Sequence, residues 1–248
     1  MVSTYTRSTQ SVAATQSAGS GLPVIAVTGM AFEARIARGK GVEVVYAARA
    51  DLLERALSAA VARGCSGIIS FGTAGGLAPD LAPGAVIIAD AVEGPLGRFA
   101  TDFHWSERLA AALVATSLGT RLHRGLMAGV TAPLTGAHDK AVLHRSSGAL
   151  AVDMETHIAG AIAAAHGVPF AVCRAIVDPA WRTLPSAATA GLRDDGSTAI
   201  APILRELLKQ PSQLGPLLRV AADARAARTA LVQARQALGA AGALQPKV

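Results

Sequence analysis

Four carboxylates stand inside otherwise apolar stretches of this 248-residue chain: Glu33, Asp153, Glu155 and Asp178. Burying a carboxylate without a partner is costly, so an acid in such a place is either paired or held for a reaction. Positioned acids protonate leaving groups, activate nucleophiles or bind sugar hydroxyls. The pattern indicates general acid and base chemistry at the ends of buried strands. For Asp153 and Glu155, acids favoured by the dipole at a helix N-terminus are the alternative.

A glycine-rich segment, FGTAGGLAPDLAPG, occupies residues 71–84. Its glycines lack Cβ atoms, so backbone N–H groups around Thr73, Ala74 and Gly75 could approach an anion or a sugar. The segment matches neither the dinucleotide-binding pattern nor the P-loop, and a tight turn would use the same residues. We predict a strand-to-loop corner that binds substrate, with the plain turn as the alternative.

The elements that must position these residues alternate between strands and helices. Strands are predicted at 23–30, 42–48, 67–76, 84–92 and near 125–133, and helices at 51–64 and 106–118. A polar loop at 135–148 then leads into strand, helix and strand over 149–181, and 182–197 is predicted as an active-site flap. Such alternation is typical of an α/β fold with a parallel or mixed sheet covered on both faces.

Four motifs, in this order, resemble the purine nucleoside phosphorylase and 5′-methylthioadenosine/S-adenosylhomocysteine nucleosidase superfamily: GMAFEA, GTAGGLAPDLAPGAVIIAD, VDMET and VPFAVCRAIVD. The resemblance covers about residues 24–178. It implies a three-layer α/β/α sandwich around a twisted mixed β-sheet. The implied reaction is cleavage of the N-ribosidic bond to a purine base, in a homodimer or larger homo-oligomer.

The resemblance also implies roles for individual residues. Glu33 would activate the attacking water, Met154 and Glu155 would hold the ribose, and Asp178 would protonate N7 of the base. Asp178 would then need a raised pKa, which an apolar strand end can supply. The stretch GAHDK (136–140) lacks the aromatic residue that stacks on the base in the nucleosidases, and His138 is the candidate substitute.

The segment DPAWRTLPSAATAGLRDDGS (178–197) resembles the hopanoid-associated phosphorylase branch. The substrate implied is adenosylhopane, an adenine nucleoside linked to a polycyclic lipid, and the products are adenine and ribosylhopane or its 1-phosphate. Trp105 and Trp181 could line the lipid entrance, with a packed core position as the alternative. The other readings are a methylthioadenosine/S-adenosylhomocysteine nucleosidase, another purine nucleoside phosphorylase, and a non-catalytic sensor of a nucleoside or lipid.

The nucleophile is not decided by these motifs. Glu33 favours water, because a carboxylate at the nucleophile's position repels phosphate. A phosphorylase would use phosphate as co-substrate, with Thr73, Arg49 and Arg98 as candidate ligands. No other cofactor is expected. The histidines and cysteines also lack the spacing of a metal site.

Composition sets the remaining expectations. With 51% hydrophobic and 16% charged residues, the chain is neither disordered, nor a coiled coil, nor a disulfide-stapled mini-protein. Residues 1–21 hold nine Ser or Thr among the first twenty and predict a disordered tail, leaving 22–248 as one catalytic domain. Cys65 and Cys173 lie in apolar runs and predict buried free thiols in a reducing cytoplasm.

Most of the net charge of +6 comes from the C-terminal part of the chain. Residues 201–248 hold seven Lys or Arg and two acids, a balance of +5. An amphipathic basic helix is predicted at about 213–240, packed on its own domain or touching an anionic membrane surface, in which case the protein would be peripheral to the inner membrane. Nucleic acid is not an expected partner, since no aromatic residues interleave with the basic ones.

Overall fold

A computed structural model describes residues 21–47, 49–189, 205–207 and 209–246. The tail predicted at 1–21 therefore lies outside the described residues, apart from Gly21. The flap predicted at 182–197 is described only as far as Thr189.

Eight strands and seven helices have bounds that place every candidate residue on a defined element. The strands are β1 (Val24–Thr28), β2 (Val42–Tyr46), β3 (Gly67–Gly76), β4 (Val86–Gly94), β5 (Gly97–Ala100), β6 (Leu122–Gly129), β7 (Ala151–Asp153) and β8 (Phe170–Asp178). The helices are α1 (Ala31–Ala37), α2 (Ala50–Ala62), α3 (Phe103–Val114), α4 (Ala137–Ser147), α5 (Thr156–His166), α6 (Ser186–Thr189) and α7 (Leu214–Ala240). Short 3₁₀ turns lie at Gly119–Arg121 and Pro211–Gln213.

The strands form one mixed sheet in the order β2-β1-β3-β7-β6-β4-β5, and β8 pairs with both β3 and β4. β1 is parallel to β2 and β3, and β8 is parallel to β3 but antiparallel to β4. Because β7 joins β3 to β6 and β6 pairs with β4, the strands β3, β7, β6, β4 and β8 pair in a closed ring. This ring brings β3, β7 and the end of β8 together.

Helices cover both faces of the sheet, as the predicted three-layer sandwich requires. One core cluster contains Leu57 of α2 and Ile158 of α5. The other contains Leu109 of α3 and Leu231 of α7. The two clusters share the apolar side chains of the sheet, which point alternately to either face. The α/β class and its sandwich architecture are confirmed.

Trp105 belongs to this core and does not line a lipid entrance. Its side chain is fully buried, and its indole N–H donates to the carbonyl of Ala243 at 2.9 Å. Trp181, the other candidate, is 54% exposed. Both cysteines are free, with Cys173 buried and Cys65 half-buried.

Helix α7 matches the helix predicted at about 213–240, but its two halves differ in burial. The C-terminal half buries a stripe of small and branched side chains: Ala227, Ala230, Leu231, Ala234 and Leu238. Arg235, expected on a solvated basic face, instead donates to the carbonyls of Ala37 and Arg38. Leu214 and Leu218 in the N-terminal half remain exposed. No helix in the described part of the chain has the length and apolarity needed to cross a membrane.

Three predictions of local structure were wrong. Residues 135–148 are mostly the helix α4, which the apolar periodicity did not indicate because Lys140 is its only buried residue. Helix α1 spans seven residues, too few for a periodic pattern, and was missed between β1 and β2. The glycine-rich corner is part of β3, which continues to Gly76.

The packing of α7 predicts a difference between two leucines of the same helix. Leu231→Ala removes a fully buried side chain, so we expect a loss of about 2–5 kcal/mol in the free energy of unfolding. Leu218→Ala, at a side chain that is 62% exposed, should change it by less than about 0.5 kcal/mol. Urea denaturation of both variants measures this, and equal small losses would contradict the packing of α7 on the sheet.

Candidate active site

Glu33 lies directly after β1, in the first turn of α1, and only 1% of it is exposed. Its Oε2 accepts hydrogen bonds from the N–H groups of Gly29 and Met30 at 3.1 and 3.0 Å. Its Oε1 accepts from the N–H and the hydroxyl of Thr73 at 2.7 and 2.6 Å. The first pair caps the start of α1, and the second ties α1 to β3. Four donors thus fix this carboxylate at the sheet edge.

Arg174 of β8 is the cation around which the other acids gather. It is fully buried, and its guanidinium lies 2.9 Å from Asp153 Oδ2 and 3.4 Å from Glu155 Oε2. It also donates to the hydroxyl of Ser70 at 2.7 Å and to the carbonyl of Thr73 at 3.1 Å. A buried arginine with several acceptors is the partner that the buried carboxylates of VDMET need.

Two glycines make room for this cluster. A Cβ on Gly72 would lie 2.7 Å from Arg174 Nη1 and 2.8 Å from the carboxyl carbon of Glu33. A Cβ on Gly29 would lie 2.5 Å from Glu155 Oε1. These positions therefore admit charged side chains of the protein itself. The expectation that the glycine-rich segment offers backbone N–H groups to a ligand does not describe Gly72.

Asp153 is committed to the scaffold. Its Oδ1 accepts from the N–H of Thr156 at 3.0 Å, and its Oδ2 accepts from the hydroxyl of Thr156 as well as facing Arg174. The Thr156 hydroxyl in turn meets that of Ser70 at 2.8 Å. Asp153 thus starts helix α5 and orients Arg174, which combines the two roles weighed for it from the sequence.

Glu155, at the N-cap position of α5, has a strongly altered acidity. Burial raises the pKa of its carboxyl to about 8, Arg174 opposes this rise, and the negative charges of Asp153 and Glu33 add to it. At neutral pH this carboxyl therefore carries its proton. A protonated carboxyl both donates and accepts a hydrogen bond, as a pair of sugar hydroxyls would require.

Asp178 ends β8 beside Gly75 of β3. Burial raises the pKa of its carboxyl, and Lys140 of α4 opposes the rise. The Lys140 ammonium lies 2.5 Å from Asp178 Oδ2. A Cβ on Gly75 would stand 3.2 Å from Oδ1, so the glycine leaves that oxygen room. The direction of the pKa shift is the one that a proton donor needs.

The remaining predicted substrate-binding residues separate into three places. Thr73 and Gly75 lie two residues apart on β3, about 7 Å, and are both partly exposed. Ala74, between them, points into the core and is 3% exposed. Met154 is half-buried between Asp153 and Glu155, and His138 is exposed on α4. The structure thus brings Glu33, Glu155 and Asp178 to the edge of β3 and places Ala74 away from it.

Sequence reasoning missed Arg174 and Lys140. Arg174 had a signal, since it is the one charged residue in the apolar run FAVCRAIV and buried acids require a buried cation. Lys140 had none, because GAHDK was interpreted as a loop. Among the described residues, no three His, Cys, Asp or Glu side chains are placed to hold a metal ion.

The pKa of Glu155 predicts a pH dependence of folding. Its carboxyl titrates near 4.5 when unfolded and at about 8 when folded, so the folded state binds the extra proton between these values. The free energy of unfolding should therefore fall as pH rises from 4.5 to 8, by at most about 1.4 kcal/mol per pH unit from this group.

The variant Glu155→Gln should remove this contribution. We expect a flatter plot of unfolding free energy against pH, measured by urea denaturation, while Glu54→Gln on the exposed face of α2 should keep the wild-type slope. An unchanged slope in Glu155→Gln would show that the pKa of Glu155 is not raised.

Comparisons with known proteins agree with this geometry. The model of the phosphorylase superfamily matches residues 13–209. The fold is similar to that of the Helicobacter pylori 5′-methylthioadenosine/S-adenosylhomocysteine nucleosidase, with a TM-score of 0.61 and 15% identity over 90% of this chain and 99% of the other. The nucleosidase of Neisseria meningitidis, solved with methylthio-immucillin-A, gives 0.59 and 18% over 86% and 97%. Futalosine hydrolase of Helicobacter pylori gives 0.54 and 17% over 64% and 89%. The chain belongs to the phosphorylase superfamily, as an N-ribosyl hydrolase or phosphorylase.

Proposed function

We propose that the protein cleaves the N-ribosidic bond of an adenine nucleoside. The observation that supports this best is the meeting of Glu33, Glu155 and Asp178 at one edge of β3. Glu33 is bound to Thr73, and Asp178 lies beside Gly75, so the two acids stand on either side of a short length of strand. A ribose between them would have an acid on each side.

Each acid then has one task. Asp178 gives its proton to the base, which leaves with the electron pair of the N-ribosidic bond. The ribose gains positive charge as that bond lengthens, and nearby carboxylates stabilise it. Glu155 binds the ribose hydroxyls through its protonated carboxyl, and Glu33 orients and activates the nucleophile. Asp153 acts only through Arg174 and Thr156.

Water is the nucleophile that the charges favour. Three acids, Glu33, Asp153 and Glu155, surround the single cation Arg174, so a phosphate dianion would meet no free positive charge there. The three phosphate ligands considered from the sequence are all engaged elsewhere. Thr73 donates to Glu33, Arg49 pairs with Asp51, and Arg98 pairs with Glu93. This arrangement supports hydrolysis over phosphorolysis.

The proposed substrate is adenosylhopane, giving ribosylhopane in hopanoid biosynthesis. Its support is the resemblance of 178–197 to the hopanoid-associated branch, together with Trp181, which is exposed three residues after Asp178. Methylthioadenosine or S-adenosylhomocysteine is the alternative substrate, and a nucleoside or lipid sensor is the alternative outside enzymes. We place the protein in the cytoplasm, as a homodimer or larger homo-oligomer.

Adenine release with Asp178→Asn tests the reaction. Asparagine cannot donate the proton, so kcat/KM should fall by about 100-fold to 10,000-fold. The assay uses adenosylhopane in detergent and, in parallel, methylthioadenosine, each with and without phosphate. Asp80→Asn, at an exposed position, is the matched control and should keep the wild-type rate.

The outcomes separate the alternatives. Release from the lipid nucleoside without phosphate supports the full proposal, and dependence on phosphate would make the protein a phosphorylase. Release from methylthioadenosine alone would assign the smaller substrate. Tight binding with no release from either would establish the sensor.

A lipid-linked substrate also predicts contact with an anionic membrane. The exposed half of α7 carries Leu214 and Leu218, and Arg225 and Arg228 are exposed farther along the helix. Such a surface binds anionic interfaces through apolar burial and charge. The double variant Leu214→Ser/Leu218→Ser should lose co-sedimentation with phosphatidylglycerol-containing vesicles, while Val114→Ser on α3 should retain it. Equal binding of wild type and the double variant would refute the contact.

A further inference from the structure

Lys140 is a buried charge that the proposed reaction leaves without a role. It is fully buried in α4, and its ammonium reaches Asp178 Oδ2 at 2.5 Å. Its other hydrogen bonds go to the carbonyls of Pro179 and Arg182 at 3.2 and 3.0 Å. All three ammonium protons are therefore used, and all on the segment that begins with Asp178.

These contacts give the two oxygens of Asp178 different surroundings. Oδ2 faces the lysine, whereas Oδ1 lies on the side of Gly75, where the absence of a Cβ leaves space. A carboxyl held this way keeps its proton on Oδ1 and aims it along β3. The side of Gly75 is also the side on which Thr73 holds Glu33.

The rest of the surroundings of Asp178 provides no second cation directed at it. The charged groups that face it are Lys140 from α4 and Asp223 from α7, whose carboxylate is itself paired with Arg182 at 2.7 Å. β3 and β7 contribute the uncharged Gly75 and Val152. Lys140 is thus the cation that answers a charge on Asp178.

We propose that Lys140 is a positioning residue for leaving-group departure, holding Asp178 through Oδ2 and stabilising the carboxylate that forms when Oδ1 gives its proton to the base. This inference rests on the proposed cleavage of an N-ribosidic bond. In the step, the bond's electron pair moves to the base nitrogen, the proton moves from Asp178 to the base, and Asp178 becomes a carboxylate beside the ammonium. Solvent returns the proton before the next turnover.

The test compares kcat/KM against pH in wild type, Lys140→Met and Lys140→Arg. Methionine keeps the length of the side chain and removes its charge, so Asp178 becomes a weaker acid. We expect the alkaline limb of the profile to move upward by about one pH unit or more, and the rate below it to fall at least about tenfold. Lys140→Arg should return the limb towards its wild-type position.

Two controls separate this role from a general loss of structure. Lys209→Met removes an exposed lysine paired with Glu206 and should leave the profile unchanged. In an Asp178→Asn background, Lys140→Met should cause little further loss, because the lysine acts through Asp178. A folded Lys140→Met variant whose alkaline limb stays in place would overturn the proposal, whatever its rate.

A second readout does not depend on turnover. The difference in unfolding free energy between wild type and Asp178→Asn follows the titration of Asp178 with pH. Because the pKa of this carboxyl is raised in the folded state, its contribution falls as pH rises, and removing the lysine should carry that fall to higher pH. If wild type releases no base, the proposed cleavage fails, while an unchanged pH window in Lys140→Met overturns the role of Lys140.

Discussion

The site depends on one buried cation. Arg174 reaches Asp153, Glu155, Ser70 and Thr73 from within β8, and without it the neighbouring carboxylates would be buried side by side. Removing one partner of a buried ion pair leaves an uncompensated charge, which is strongly destabilising. One guanidinium cannot neutralise three acids, so a proton stays on Glu155 near neutral pH. The charge deficit is therefore a functional property, since it excludes anions and favours a ribose that becomes cationic.

Strand β3 gives this chemistry its geometry. It pairs with β1, β7 and β8, so elements distant in the sequence end beside the same few residues. Its glycines are required by what approaches them: Gly72 by Arg174 and Glu33, and Gly75 by Asp178 and Val152. Alternation along the strand turns Thr73 towards the acids and Ala74 into the core. The glycine-rich segment thus serves the protein's own charged groups first.

Much of this could be predicted from the sequence, for physical reasons. Buried strands are apolar runs of typical length, and acids at their ends stand out, which is why the α/β class and the meeting of Glu33, Glu155 and Asp178 were accessible. Helix α4 was not, because its outer face is polar and its one buried residue is a lysine. The pairing of Lys140 with Asp178 joins positions 38 residues apart, and only the closed ring of strands and the packing of α4 bring them together.

The two ends of the site therefore handle charge in different ways. At the ribose, Arg174 is outnumbered by acids, and a proton is kept to reduce their repulsion. At the base, Lys140 meets one acid, and burial and the lysine act on the pKa of Asp178 in opposite directions. Burial keeps a proton available, while the ammonium makes its departure easier, so neither influence alone would give a donor that works near neutral pH. A lysine in the stretch where the nucleosidases carry an aromatic residue thus shifts this part of the site from stacking on the base towards control of the acid beside it.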